Sequence, residues 1–476
     1  MSLSPVEVKR VFDRLGGVLA RQQRECDAVD SWLRPELDSG FELPRKATRE
    51  HRALRALSRT PWLKLVVDNV VQAMYVDSVV GDEGKIPELW GLWNANSLRG
   101  AQISNHRAMV AYGHSYSLVT QGFRAGEPSA RIRFLSPRRV AVEYGDAGAD
   151  LYPSAALEAL DSSDGVKRFR LWLPGEVYPL RLDTKSRDTT DMQGLQVGDA
   201  QFTGLDFVPV IRFANQLDLD GRVIGEVEPF IPAAQRINKT AYDRLLSQHF
   251  NSWKVKTATG LDVPEQLDED GEGTGQVDQD ASERLKLKLA QDDVLVGGDG
   301  VSFGTLDATA LDPFVNSWRA DIEALAAVSQ TPAHALTGQL VNLSAEALAA
   351  ARAPLTQKVY ERQMNAGDAY ARTLRVAALV AGMEDIASDD LVRVTWQDME
   401  IRSMAQAVDA LGKAKQMLEV PARALWGMIP GVEASDVQEW ERLADEQFDR
   451  DPLHAAFTRQ SESTIGDVTG GDTSGG

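Results

Sequence analysis

The sequence predicts an α+β protein, mostly helical, with its strands gathered in one middle stretch. Three observations predict it. Near both ends of the chain, apolar residues recur at steps of three and four, the mark of amphipathic helices. Between Ser115 and Phe213 they alternate or are β-branched and aromatic, and clusters of Gly, Pro and Asp separate the runs. Finally, 476 residues with 43% hydrophobic and 25% charged side chains are ordinary for a globular protein but too many for one small core. About two to four structural units are expected.

The first helix starts at Ser4, which can cap it. Pro5 suits the first helical position, and Glu7 completes a capping box. Val6, Val8, Val11, Phe12 and Leu15 then supply an apolar stripe. Trp62 to Met74 reads as a buried helix, and Ile86 to Asn94 and Ser97 to Tyr112 as shorter ones. The segment Gly81 to Lys85 between them reads as a turn. Strands are expected at Ser115–Gln121, Arg131–Leu135, Arg139–Tyr144, Arg168–Leu173 and Val208–Phe213. Pro209 lies near the start of the last one, where a missing N–H does least harm.

From Pro229 the helical period returns. Phe230, Ala234, Ile237, Ala241 and Leu245 form one face over about 22 residues, or roughly 33 Å of helix. A strand is expected at Ser252–Ala258. Asp262 to Glu283 then carries nine acids, three glycines and no Lys or Arg. Short strands are expected at Leu285–Leu289 and Val294–Val296. A second amphipathic helix spans Asp312 to Val328, with Phe314, Trp318, Ile322 and Leu325 on one face. Thr331 to Leu343 reads as a loop, and Ser344 caps an Ala-rich helix that Pro354 should kink before it resumes to Ala381. A strand at Leu391–Trp396 and helices at Arg402–Leu418 and Ala434–Glu446 follow. The tail beyond Arg459 should be disordered.

Composition and motifs exclude much. A net charge of −19 argues against general wrapping of nucleic acid, which needs Lys and Arg to replace counterions. The single cysteine, Cys26, rules out an intrachain disulfide and a thiolate metal cluster, and suits synthesis in a reducing compartment. The N-terminus lacks the blocks of a signal peptide, and no apolar run approaches the ~20 residues that span a bilayer. No phosphate-binding loop or His-Glu-x-x-His motif is present, and the six histidines are dispersed as packing or surface residues. Gly113 to Ser117 lacks the second glycine of a nucleophile elbow and reads as the entry to a strand. Asp268, Asp270 and Glu272 fall at calcium-loop spacing, but Gln279 stands where the closing bidentate Glu belongs. Asp218-x-Asp220-Gly221 is likewise an incomplete loop and reads as a turn. No cofactor and no metal site is expected. Pairs of acids for glycoside hydrolysis stay open, because the separation they need is spatial.

Several segments, in order, resemble the portal proteins of tailed double-stranded DNA bacteriophages, of the siphophage head-to-tail connector type. Val208-Pro209-Val210-Ile211-Arg212-Phe213-Ala214-Asn215 is similar to the family's VPVV-x-F-x-N strand. A loop with Gly225 and Glu226 follows, then the long helix Glu228 to Asn251 with Asn238, Lys239 and Asp243. Asp321 to Gly338 is similar to the family's helix–Pro–loop, Ser344 to Ala381 to its long kinked helix, and Val392 to Ala410 to its strand–Trp–Asp–helix.

The resemblance implies a portal-like subunit with wing, stem, clip and crown regions. It also implies assembly into a ring, usually of twelve copies, at the capsid portal vertex of the virion, after synthesis in the host cytoplasm. Residues 1–227 would form the wing, 228–251 and 312–330 the stem helices, and 252–311 the clip with its acidic insertion. Residues 331–343 would be the tunnel loop, 344–382 the long wing helix, 383–459 the crown region and 460–476 a disordered tail. Phe230, Ile237, Leu245, Phe314, Trp318, Ile322 and Leu325 would pack the stem, and Gln339, Leu340, Val341 and Asn342 would line the channel. Asp268, Glu269, Asp270, Glu272, Asp278 and Asp280 would charge the clip. Implied partners are further copies of the chain, double-stranded DNA passing through during packaging and ejection, the terminase packaging motor, a head–tail adaptor, and the major capsid or scaffolding protein, with no membrane. The residues alone leave open a carboxylate-based hydrolase and a non-ring phage or cellular scaffold protein.

Overall fold

The computed structural model describes residues 3–34, 36, 41–43, 47–82, 84–124, 126–162, 165–183, 194–252, 256–259, 265–267, 273–277, 302–305, 308–338, 345–397, 404–429, 432 and 434–449. The chain divides into two compact units: Met1–Asp30, Leu63–Pro229 and Leu343–Gly476 make one, Ser31–Trp62 and Phe230–Asn342 the other. The fold is α+β and mostly helical.

In the first unit, the Ser4–Glu7 capping box forms as the sequence predicts. The Ser4 N–H donates to the Glu7 carboxylate at 2.8 Å, and the Glu7 N–H returns a bond to Ser4 Oγ at 3.4 Å. Helix α1 (Pro5–Leu33) buries Val8, Phe12, Leu15 and Leu19. Val6, placed on that stripe by the sequence, is 62% exposed, because its neighbours at i+2 and i+6 already fill the buried face.

Helix α1 lies on an antiparallel sheet ordered β10-β8-β7-β6-β5, with β9 beside β8. Its strands are β5 (Val140–Glu143), β6 (Ala155–Ala159), β7 (Val166–Leu173), β8 (Glu176–Asp183), β9 (Leu195–Val197) and β10 (Gln201–Phe202). Alternation sorts their side chains to two cores. Leu157, Phe169, Leu171, Tyr178, Leu180 and Leu182 meet α1, whereas Ala156, Trp172 and Val177 meet Tyr116, Leu118 and Val210. The latter come from a sheet ordered β11-β3-β4 (Val210–Ala214, His114–Arg124, Glu127–Leu135). A third sheet pairs β16 (Arg393–Trp396) with β1 (Val76–Gly81) and β2 (Gly84–Lys85). The Gly81–Lys85 turn thus joins two strands, not two helices. Strands β1, β2, β6, β8, β9 and β10 lie outside the strands expected from sequence.

Helices α2 (Arg49–Ser58) and α3 (Trp62–Val71) precede β1, and α4 (Pro87–Ala95) and α5 (Leu98–Tyr112) lie between β2 and β3. Tyr370 gathers Trp93, Phe134, Phe213, His106 and Trp396 around its ring, and its hydroxyl lies 2.9 Å from His106 Nε2. Burial holds the His106 imidazole neutral, with its pKa lowered to about 4.

In the second unit, α6 (Ile231–Ser252) follows a single 3-10 turn, Glu228–Phe230. Because α6 runs on to Ser252, the strand expected from that residue starts later, as β12 (Lys256–Thr259). Strands β13 (Glu265–Leu267) and β14 (Gly273–Val277) pair as a hairpin within the acidic stretch, and β15 (Ser302–Thr305) returns to pair with β12. Helix α7 (Asp312–Val328) is followed by Gln330, whose φ of 53° turns the chain left-handed ahead of Pro332. A short helix, α8 (Ala333–Thr337), occupies part of the expected loop. Back in the first unit, α9 (Ala345–Val380) runs through Pro354 as one helix of 36 residues. The short α10 (Glu384–Ala387) follows, then β16, α11 (Met404–Met417), α12 (Ala422–Trp426) and α13 (Ala434–Asp449). The strands expected at 285–289 and 294–296 lie outside the described residues, as do the Ser344 cap and the tail.

Candidate functional site

Helices α6 and α7 pack antiparallel. Asn251, at the end of α6, meets Thr309 just ahead of α7, while Arg236 and Thr240, earlier in α6, reach Asp321 further along α7. Sequence explains why both segments are helical. Pro232 and Pro313 sit in the first turns, where no N–H bond is lost, and Asp312 complements the positive end of α7. Both helices lack β-branched runs and present one apolar face.

The seven side chains expected to pack this pair divide into two groups. Ile237, Ile322 and Leu325 are fully buried, each worth about 2–3 kcal/mol. Phe230, Leu245, Phe314 and Trp318 are half-buried. The edge of Trp62 contacts Trp318 at 5.9 Å, and the Arg244 guanidinium stacks over the same ring at 5.5 Å. Segment Ser31–Trp62 supplies further packing. Phe41 lies 5.1 Å from Tyr242, and Asn238 Oδ1 accepts the Thr60 N–H at 3.2 Å.

Charges on the pair are complementary. Helix α6 bears Arg236, Lys239 and Arg244 against Asp243, and α7 bears Asp312, Asp321 and Glu323 against Arg319. Arg236 Nε donates to Asp321 at 2.7 Å, and Lys239 pairs with Asp243 one turn on. At the far end, Asn251 Nδ2 donates to the Thr309 carbonyl at 2.8 Å and its Oδ1 accepts the Thr309 N–H at 3.0 Å. Together with the β12–β15 ladder, this two-way bond closes the base of everything between the helices.

Gln339, Leu340, Val341 and Asn342 lie outside the described residues, as do Asp268, Glu269, Asp270, Glu272, Asp278 and Asp280. Among the described residues no group of His, Cys, Asp and Glu could hold a metal ion, and no helix is long and apolar enough to cross a membrane. Cys26 is buried, which raises its thiol pKa to about 12.

One cluster was missed by sequence reasoning. In the first unit, Glu226 Oε2 takes Lys358 Nζ at 2.7 Å, and Oε1 takes Arg362 Nη2 at 2.8 Å and Asn215 Nδ2 at 3.2 Å. All three charged side chains are buried. Burial pushes the Glu226 carboxyl up, but Lys358 and Arg362 outweigh it and hold the group below its ordinary range. Two glycines let the strap bearing Glu226 sit this close. A Cβ on Gly225 would lie 2.6 Å from the Ala111 carbonyl oxygen and 2.8 Å from the Gly113 N. The available signal was Lys358 and Arg362 at i, i+4 on an otherwise apolar face of α9.

These features describe a structural scaffold: a braced helix pair that sends an excursion out and back. The family described as "Phage portal protein, SPP1 Gp6-like" matches residues 27–452, and the chain belongs to it. Its role is accordingly structural, at the portal vertex of the capsid. Among solved structures, it is similar to a chain from "Neck of empty GTA particle computed with C6 symmetry". The identity is 12%, the match covers 80% of this chain and 96% of that one, and the TM-score is 0.40. No curated protein matches.

Proposed function

We propose that copies of this chain, twelve in the virion, close into a ring whose channel passes double-stranded DNA during packaging and ejection. Residues 228–251 and 312–330 serve as stem, and 252–311 as the clip that docks the terminase motor and, later, the head–tail adaptor. Residues 331–343, with Gln339, Leu340, Val341 and Asn342, form the tunnel loop. Residues 1–227 and 344–382 build the wing, which faces the major capsid or scaffolding protein, and 383–459 the crown.

The observation that carries this reading is the antiparallel α6–α7 pair, pinched at its base by Asn251 and Thr309. Such a pair can stand as one stave of a ring while the excursion beyond it projects to a partner. A family that is structural fits a conduit, with the motor supplying the fuel.

Negative-stain microscopy of the purified full-length protein tests the proposal. Rings with a central hole are expected, and Leu245→Asp with Phe314→Asp, which charge half-buried positions of the pair, should reduce their yield. A monomer at every concentration would overturn the ring reading.

A further inference from the structure

The first unit contains a second feature that the portal role does not use. Tyr144, at the end of β5, opens a loop running to Tyr152. Arg212 on β11 stacks 4.7 Å over the Tyr144 ring and donates from Nη2 to the Ala147 carbonyl at 2.8 Å. Arg372 on α9 donates from Nη1 to the Leu151 carbonyl of the same loop at 3.5 Å, and from Nε to the Asp368 carbonyl at 3.3 Å. Tyr152 stacks on Phe207 at 4.3 Å. Two guanidiniums therefore meet one short loop beside two phenols.

Neither arginine has a carboxylate within ion-pair distance among the described residues. The loop's own acids bond to backbone N–H groups within the loop. Asp150 Oδ2 accepts the Asp146 N–H at 2.7 Å, and Asp146 Oδ1 accepts the Gly148 N–H at 3.0 Å. Asp368, one turn before Arg372, meets it through the backbone carbonyl. Other arginines of the first unit have carboxylate partners: Arg375 with Asp390, Arg138 with Asp27 and Asp30, and Arg139 with Asp161. In a chain of net charge −19, an unneutralised pair of cations stands out.

We propose that Arg212 and Arg372, with the Tyr144 and Tyr152 hydroxyls beside them, form a binding site for a phosphate oxyanion. Backbone carbonyls hold both guanidiniums in place while leaving further N–H groups of each fork uncommitted, which suits bidentate capture of phosphate. The two guanidiniums together carry +2, and their free N–H groups match the several oxygens of a phosphate, which carries about −1.5 to −2 as a monoester at neutral pH, better than one carboxylate. Burial, with the like charge of Arg212 behind it, lowers the Arg372 pKa against the opposing pull of Tyr144, Asp368 and Tyr152; a bound anion relieves that repulsion. Burial raises both tyrosine pKa values, so the phenols remain donors. The phosphate can come from free inorganic phosphate or from a nucleic-acid backbone.

Calorimetric titration of the full-length protein with inorganic phosphate, at constant ionic strength, tests the site. Wild type and the control R139Q should bind alike. R372Q should bind about tenfold more weakly, and R372K should recover part of the loss. If R372Q does not fold, as judged by circular dichroism, R212Q carries the same test. A short DNA duplex that displaces phosphate identifies the backbone as the source, and one that does not identifies free phosphate. Three results would overturn the proposal: no phosphate binding, equal affinity in R372Q and R139Q, or acetate competing as well as phosphate.

Discussion

Replacing Glu226 with Gln removes the carboxylate charge, leaving Lys358 buried without its counterion and Arg362 with only the exposed Glu361. The relative exposures of Glu226, Lys358 and Arg362 are 5%, 4% and 2%, so water cannot substitute. Stripping one partner from a buried pair costs about 3–5 kcal/mol. Gln keeps an oxygen to accept from Arg362 and Asn215, which places E226Q near the lower end, at about 3 kcal/mol. The control is E361Q. Glu361 also meets Arg362, at 2.9 Å, but its side chain is 62% exposed, and such a pair is worth under about 1 kcal/mol. Urea unfolding at matched protein concentration, followed by circular dichroism, reads the difference. With a slope of about 3 kcal/mol per molar, E226Q should lower the midpoint by about 1 M. The double variant E226Q/K358M should recover part of the loss, since an uncompensated cation goes with the carboxylate. A midpoint for E226Q within about 0.2 M of E361Q would refute the reasoning. The pH dependence has a definite sign. Because the folded carboxyl titrates below its ordinary value, its stabilisation is present above the unfolded pKa near 4.5 and lost as pH falls through the lower folded value.

Three further outcomes are expected. His106 and His114 are each held near pKa 4 by burial, against 6.5 when exposed, so stability should fall as pH drops from about 6.5 toward 4. Each contributes about 3 kcal/mol across that window, and His114→Asn should flatten a plot of melting temperature against pH. Gly225→Ala should destabilise by about 1–3 kcal/mol by urea titration, because its Cβ would strike the Ala111 carbonyl, whereas Gly100→Ala, with nothing within 4 Å, should not. Asn251→Ala removes both bonds to Thr309 and should speed hydrogen exchange of the Lys256–Thr259 amides, while global stability changes by about 1 kcal/mol or less. Unchanged exchange would mean that the β12–β15 ladder closes the excursion without it.

Much of the helical framework was legible because its signals are local. The Ser4–Glu7 box, the Asp312–Pro313 start of α7 and the three-and-four spacing of Ile322 and Leu325 are each readable within a few residues. Short strands were not. Ala155–Ala159 contains three alanines, which favour helix by propensity; its strand conformation comes from pairing with β5 and β7, a contact between distant residues. Leu195–Val197 and Gln201–Phe202 are too short to show a period and exist as edges of β8. The Glu226 cluster was illegible for a related reason. Lys358 lies 132 residues from its partner, and burial, not sequence spacing, makes the contact matter. Lys358 and Arg362 stand out on an apolar helix face, but nothing in their spacing names Glu226 as the partner.

The helix pair also refines why DNA would slide through a channel of this kind. A net charge of −19 suggests a wall that repels phosphate, yet nine of the acids lie in one stretch between the helices, and α6 and α7 together carry four acids and four cations. On the proposed channel reading, repulsion by the pair alone is therefore weak. What the pair does show is that three of its four cations are already engaged. Arg236 meets Asp321, Lys239 meets Asp243, and Arg244 lies over Trp318. A phosphate would have to break each contact to gain its own, and an exchange of one ion pair for another in water yields little. A wall whose cations are mostly engaged lets a polyanion pass for a different reason than a wall of acids does. It neither captures the backbone nor raises a steep barrier at the entrance.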